Sequence, residues 1–146
     1  MSRHEQRQQL AKEFGASDIV AERGEEGVSR IKDLTDGRGA NAVLECVRTG
    51  ESVMQALRST RPGGMVGWVG APLGVEVSMG DTFWRNVGVR GGPAPVRNYL
   101  PDLADRVWNG TIEPGKVFDL ELPLDQVAEA YRAMDERRAI KVLLRP

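Results

Sequence analysis

A single cysteine, Cys46, and a single histidine, His4, limit the chemistry this chain can do with its own side chains. One of each cannot build a transition-metal ligand cluster. The sequence has no Gly-x-Ser-x-Gly elbow and no Cys–His pair with a third orienting group, so it offers no activated nucleophile. It has no Walker loop either. Gly37-Arg38-Gly39-Ala40-Asn41-Ala42 fits the letters G-x-G-x-x-A, but it follows a helical pattern and precedes a strand-like run. A dinucleotide fingerprint needs the opposite order, so that a helix N-terminus faces the pyrophosphate. This segment reads as a turn. Most carboxylates fall on predicted helix exteriors and read as a solvated surface, and Glu45 is the one well placed at a strand end. Arg48 and Arg90 also fall at strand ends, where either solvent or an anionic ligand would meet them. Lys141 is either an outward position of the last strand or a phosphate contact. Cys46 reads as a small, inert, buried residue, because unpaired cysteine packs like a small apolar side chain. No catalytic set is assigned.

The elements that must position these residues can be read around Arg61-Pro62-Gly63-Gly64-Met65-Val66-Gly67-Trp68-Val69-Gly70-Ala71-Pro72. Pro62 fixes φ and Gly63 accepts a positive φ, so the pair ends the preceding helix. Residues 65–69 then form a short apolar run bounded by turn signals, as expected of a strand covered on both faces. Gly67 and Gly70 weaken a strand interior. Either a crowded helix–sheet contact or the close approach of a ligand would require them. Upstream, Leu10, Ala11 and Phe14 mark one face of a helix over 5–14, with Gly15 at its C′ position. A short strand is expected over 18–21, a second helix at Val28, Ile31 and Leu34, a strand over 42–47, and a third helix at Val53, Met54 and Leu57. Downstream, the alternation over 75–78 predicts an edge strand. Phe83 and Trp84 lie in a short helical turn, and 86–92 is a strand running into glycines. The helix over 96–108 contains Pro101, which is tolerated in a first turn, so the helix proper is expected to begin near Leu100. Residues 117–122 are extended. Leu124, Val127, Ala128, Tyr131 and Met134 give the clearest helical stripe, and 140–144 is a closing strand.

Strands alternating with helices predict an α/β fold with a mainly parallel sheet and helices on both faces. In such sheets ligands bind outside the carboxyl ends of strands. That rule selects Cys46, Val47 and Arg48, then Val69, Gly70 and Ala71, then Val89, Arg90 and Gly91. At 146 residues the chain has the length of one domain. A formal charge of −1 with 28% charged residues lacks the basic surface that nucleic acid requires. No apolar run approaches the ~20 residues that span a bilayer. One cysteine excludes an internal disulfide and fits a reducing, cytoplasmic setting.

Taken together, several stretches resemble the cofactor domain of the zinc-dependent medium-chain alcohol dehydrogenase superfamily. They are Glu13-Phe14-Gly15-Ala16-Ser17-Asp18-Ile19-Val20, Ala40-Asn41-Ala42-Val43-Leu44-Glu45-Cys46-Val47, and the segment from Arg61 to Pro72. Leu122-Pro123-Leu124-Asp125-Gln126-Val127-Ala128-Glu129-Ala130-Tyr131 follows in register with Ile140-Lys141-Val142. The resemblance implies a partial Rossmann-type domain over 1–146 and hydride transfer between NADP(H) and an alcohol or aldehyde in the complete family members. It implies that Cys46, Val47, Val69, Gly70, Ala71, Val89 and Arg90 line the nicotinamide and its ribose, with Lys141 near the pyrophosphate. Ser2 and Arg3 fall where family members recognise the adenosine ribose, and a hydroxyl with a guanidinium suits a 2′-phosphate, so NADP is expected over NAD.

The family's glycine-rich turn, first strand and most of its second strand would precede Met1. The zinc-bearing catalytic domain is not in the sequence, so zinc is expected only outside this chain, and the chain alone is expected to be inactive. Arg48 stands where the family usually has glycine. Without the first strand, the strand at Val43 should expose a backbone edge and Ile19-Val20 should lack a partner. A homo-oligomer is implied, and a non-catalytic assembly module pairing through the edges at 75–77 or Val43 is the alternative reading. A small unrelated enzyme using Glu45 is a third.

Overall fold

Apolar spacing and turn residues divide the chain into helices and strands whose order the computed structural model makes explicit; it describes residues 4–71 and 73–146. In chain order these are α1 (Glu5–Glu13), α2 (Gly24–Asp33), β1 (Ala40–Glu45), α3 (Gly50–Ser59), β2 (Thr60–Trp68), α4 (Met79–Phe83) and β3 (Gly88–Gly91). Then follow α5 (Val96–Trp108), β4 (Leu120–Pro123), α6 (Val127–Asp135) and β5 (Val142–Arg145), with single 3-10 turns at Pro114–Val117 and Leu124–Gln126. The strands form two parallel sheets, one ordered β1-β2-β3 and one pairing β4 with β5. The parallel α/β character expected from the sequence is present. The chain divides into two compact units, one spanning residues 18–94 and one combining 4–17 with 95–146.

In the first unit, β2 is the central strand because its apolar residues meet α3. Val66 of β2 and Val53 and Leu57 of α3 are fully buried, and Val43, Met54 and Trp68 pack around them. Val43, Val66 and Val89 lie level in register. The intervening positions lie on the other side of the pleat, where Leu44 is 71% exposed. A Cβ at Gly67 would lie 2.9 Å from Cδ2 of that exposed Leu44 side chain. Among the described residues β1 pairs with β2 alone, so its outer edge is open, as expected for the strand at Val43.

In the first unit, three elements differ from the sequence expectation. Residues 18–21 form no strand, since a strand needs a neighbour for its N–H and C=O groups and none lies beside them among the described residues. Residues 75–78 form no strand either. Their alternation has another origin, because Val75 and Val77 pack against the buried cluster while Glu76 and Ser78 remain exposed. Finally, Pro62 and Gly63 do not precede the strand but lie inside it. Between the pairs Ala40–Thr60 and Ala42–Met65 the register slips, and the extra residues bulge outward around Gly63 at φ 74°.

In the second unit, Asp119 joins the two strands. Its Oδ1 accepts the Ile140 N–H at 2.8 Å and the Lys141 N–H at 3.2 Å, and its own N–H reaches the Lys141 carbonyl. The Arg145 guanidinium then grips Glu121 through both carboxylate oxygens at 2.7 and 3.1 Å. Ala130 and Ala133 are the buried residues of α6. Helix α5 begins at Val96 rather than near Leu100, so Pro101 lies within it and withholds only the N–H that would reach the Arg97 carbonyl.

Candidate functional site

Parallel strands place all their carboxyl ends on one side of a sheet, so the ends of β1 and β2 meet there by topology. A single carbonyl joins them. The Glu45 C=O, at the last residue of β1, accepts the Val69 N–H at 2.9 Å and the Gly70 N–H at 3.1 Å. This brings Cys46 and Val47 beside Val69, Gly70 and Ala71. The approach is close at Gly70, where a Cβ would stand 3.3 Å from Arg48 Cβ and 3.4 Å from the Cys46 carbonyl carbon. Val47 and Val69 are 59% and 65% exposed, an apolar pair presented to solvent rather than packed into the core.

The turn after β1 is held from below by the Glu45 side chain. Its Oε1 accepts the Val47 N–H at 2.7 Å, the Arg48 N–H at 2.9 Å and the Ser52 hydroxyl at 2.7 Å. Burial pushes this carboxyl up, but the Ser52 hydroxyl and the Arg48 and Val47 N–H groups outweigh burial and hold it below the ordinary carboxylate value. Thr49 and Ser52 cap α3 reciprocally: the Ser52 N–H donates to the Thr49 hydroxyl at 3.2 Å and the Thr49 N–H to the Ser52 hydroxyl at 3.1 Å. The turn therefore leaves Arg48 at φ 66°, a left-handed conformation that glycine adopts without cost.

The structure treats the expected site residues unequally. Gly70 lies against Cys46, with Val47 next to Cys46 and Val69 and Ala71 next to Gly70 along the chain. Cys46 is exposed rather than buried, because β1 stops at Glu45 and the chain has already left the sheet. Val89 and Arg90 lie within β3 beside Val66 and Gly67, two residues and one residue before the end of β2 at Trp68. Arg48 and Arg90 are exposed. Lys141 lies in the second unit, at the entry to β5, with its backbone held by Asp119. Ser2 and Arg3 fall outside the described residues. Among the described residues no three His, Cys, Asp or Glu side chains gather as metal ligands, and no helix is long and apolar enough to cross a membrane. The sequence pointed to Glu45 only as a carboxylate at a strand end. Its role in holding the turn had a signal, the Thr49-x-x-Ser52 cap beginning four residues later.

A family model described as zinc-binding dehydrogenase matches residues 1–109. Zinc-type alcohol dehydrogenase B of Aspergillus flavus is 30% identical over 141 residues, covering 95% of this chain and 33% of its own length. A probable zinc-binding alcohol dehydrogenase of Mycobacterium tuberculosis is 32% identical over 146 residues, covering 96% of this chain and 36% of its own. Among solved structures, an alcohol dehydrogenase from Thermus sp. ATN1 superposes with a TM-score of 0.85 at 28% identity, over 98% of this chain and 43% of that one. The chain thus spans about a third of the length of these curated relatives.

Proposed function

The chain belongs to the zinc-binding dehydrogenase family, and we propose that residues 1–146 serve as the nicotinamide-cofactor portion of an alcohol-dehydrogenase-like oxidoreductase. The reaction of the complete protein is hydride transfer between NADP(H) and an alcohol or aldehyde. The observation that carries this reading is the junction at the Glu45 carbonyl, which brings Gly70 against Cys46 and Arg48 next to the exposed Val47 and Val69. A flat ring lies against backbone where side chains are absent, and two exposed valines give it apolar walls.

Bound there, the nicotinamide would supply the hydride acceptor or donor. Cys46, Val47, Val69, Gly70 and Ala71 would hold the ring and its ribose, with Val89 and Arg90 at the adjoining strand. Lys141 would contact the pyrophosphate. Ser2 and Arg3 would receive a 2′-phosphate, which favours NADP over NAD. The residues present do not fit zinc, so no step is assigned to a metal in this chain. With one cysteine, one histidine and no nucleophile–base pair in its sequence, the chain alone is inactive. Its setting is a reducing compartment, the cytoplasm, with no membrane or nucleic-acid partner.

Isothermal titration of NADPH and NADH into the chain tests this. NADPH should bind weakly, with a Kd of roughly a millimolar, yet more tightly than NADH. Arg3→Asp should erase the difference and Gly70→Val should weaken both. Micromolar NADPH affinity would overturn the claim that the chain alone binds the cofactor only weakly, and equal binding of the two cofactors would overturn the NADP preference. A second reading, an assembly module that pairs a second copy through a sheet edge, draws on the open outer edge of β1. A strictly monomeric, cooperatively folded chain in sedimentation would remove it.

A further inference from the structure

Three buried side-chain polar atoms lack a hydrogen-bond partner among the described residues: Glu45 Oε2, Arg58 Nε and Ser59 Oγ. Two of them belong to residues that line one cavity. Glu45, 3% exposed, and Ser59, 1% exposed, both border a space of about 300 Å³ beside β1, against α2 and α3. Glu45 spends its other oxygen fully, since Oε1 already accepts from Val47, Arg48 and Ser52. Oε2 is therefore not a spare acceptor in a satisfied network. It is half of a carboxylate that is buried without a cation.

The remaining lining defines what would bind. Ile31, Val43 and Ala56 give apolar wall. The charged lining residues are Arg23, Glu45 and Glu51, one cation against two anions, so the cavity is net negative. An anion would be repelled by Glu45. A neutral donor would satisfy Oε2, whereas a cation would in addition be drawn by the net negative lining. A metal ion is disfavoured, as no three candidate ligands gather among the described residues. We propose that this cavity binds a small organic cation, a primary alkylammonium, whose N–H group donates to Glu45 Oε2 while its carbon chain lies against Ile31, Val43 and Ala56. The site runs along β1, with Val43 and Leu44 both in its lining. It does not depend on the cofactor reading, although its rim includes Cys46 and Val47.

The test is a titration of the isotopically labelled 146-residue chain with n-butylammonium chloride, followed by amide shifts. Saturable shifts at Val47, Arg48 and Ser52 are expected. Two comparisons decide the outcome. On the unaltered chain, 1-butanol, which keeps the carbon chain but has no charge, should bind at least about tenfold more weakly. Glu45→Gln, checked for folding by circular dichroism, should weaken butylammonium by a similar factor. Butanol binding as tightly as butylammonium would overturn the proposal, as would a folded Glu45→Gln that binds unchanged. Linear shifts spread over exposed carboxylates would also overturn it. If Glu45→Gln does not fold, the butanol comparison alone decides.

Discussion

Glu45 and Arg48 carry opposite costs at the end of one strand. The Glu45 carboxylate is stabilised by three donors, while Arg48 is held by that same carboxylate at φ 66°. A left-handed conformation costs a side-chain-bearing residue about 1–2 kcal/mol, and glycine avoids it at the expense of a looser unfolded chain. Arg48→Gly is therefore expected to change stability by no more than about 1 kcal/mol, towards gain, whereas Arg48→Val should lose about 1–2 kcal/mol in urea unfolding. Glu45 gives a pH signature. Its carboxyl titrates below the ordinary value of 4.5 in the folded chain. Its contribution is then complete above that value and is lost as pH falls through the lower, folded value. Urea unfolding between pH 7 and pH 3 should show the native chain losing more stability on acidification than Glu45→Gln, which has no charge to lose. Parallel pH profiles for the two would contradict this. The sequence placed Glu45 and Arg48 at a strand end. It did not reveal their coupling, because the contact runs through backbone N–H groups that every residue possesses.

Among the elements, α3 decides whether the first sheet forms. Val53 and Leu57, four residues apart on one helical face, are both fully buried against Val66. Leu57→Ala should cost about 2–5 kcal/mol, measured as a lower urea midpoint with little change in slope. A loss below about 1 kcal/mol would mean the helix is not the sheet's support. Helices were legible in the sequence because a period near four records which face is buried. Strands were less so. The alternation over 75–78 reported burial correctly, with Val75 and Val77 turned to the core, yet burial of alternate residues does not require a hydrogen-bonded neighbour. Ile19 and Val20 failed in the same way, since β-prone residues cannot supply the second strand of a pair. The turn residues Pro62 and Gly63 were recognised as irregular, but the bulge they form is fixed by how β1 pairs with β2, which lies outside their own segment.

At the scale of the molecule, two compact units each carry a parallel sheet, and the candidate nicotinamide floor belongs wholly to the first. Topology selected the strand ends, through parallel strands and a glycine at the close approach, while the nicotinamide assigned to them came from resemblance. The roles assigned to Lys141, Ser2 and Arg3 came from resemblance alone. The central claim is that the ends of β1 and β2 receive the nicotinamide ring. It is tested most directly by nuclear Overhauser effects between nicotinamide ring protons of millimolar NADPH and the methyl groups of the labelled chain. The account predicts effects at Val47, Val69 and Ala71, abolished by Gly70→Val. Ring contacts confined to other methyls, or effects at these three that survive Gly70→Val, would contradict it.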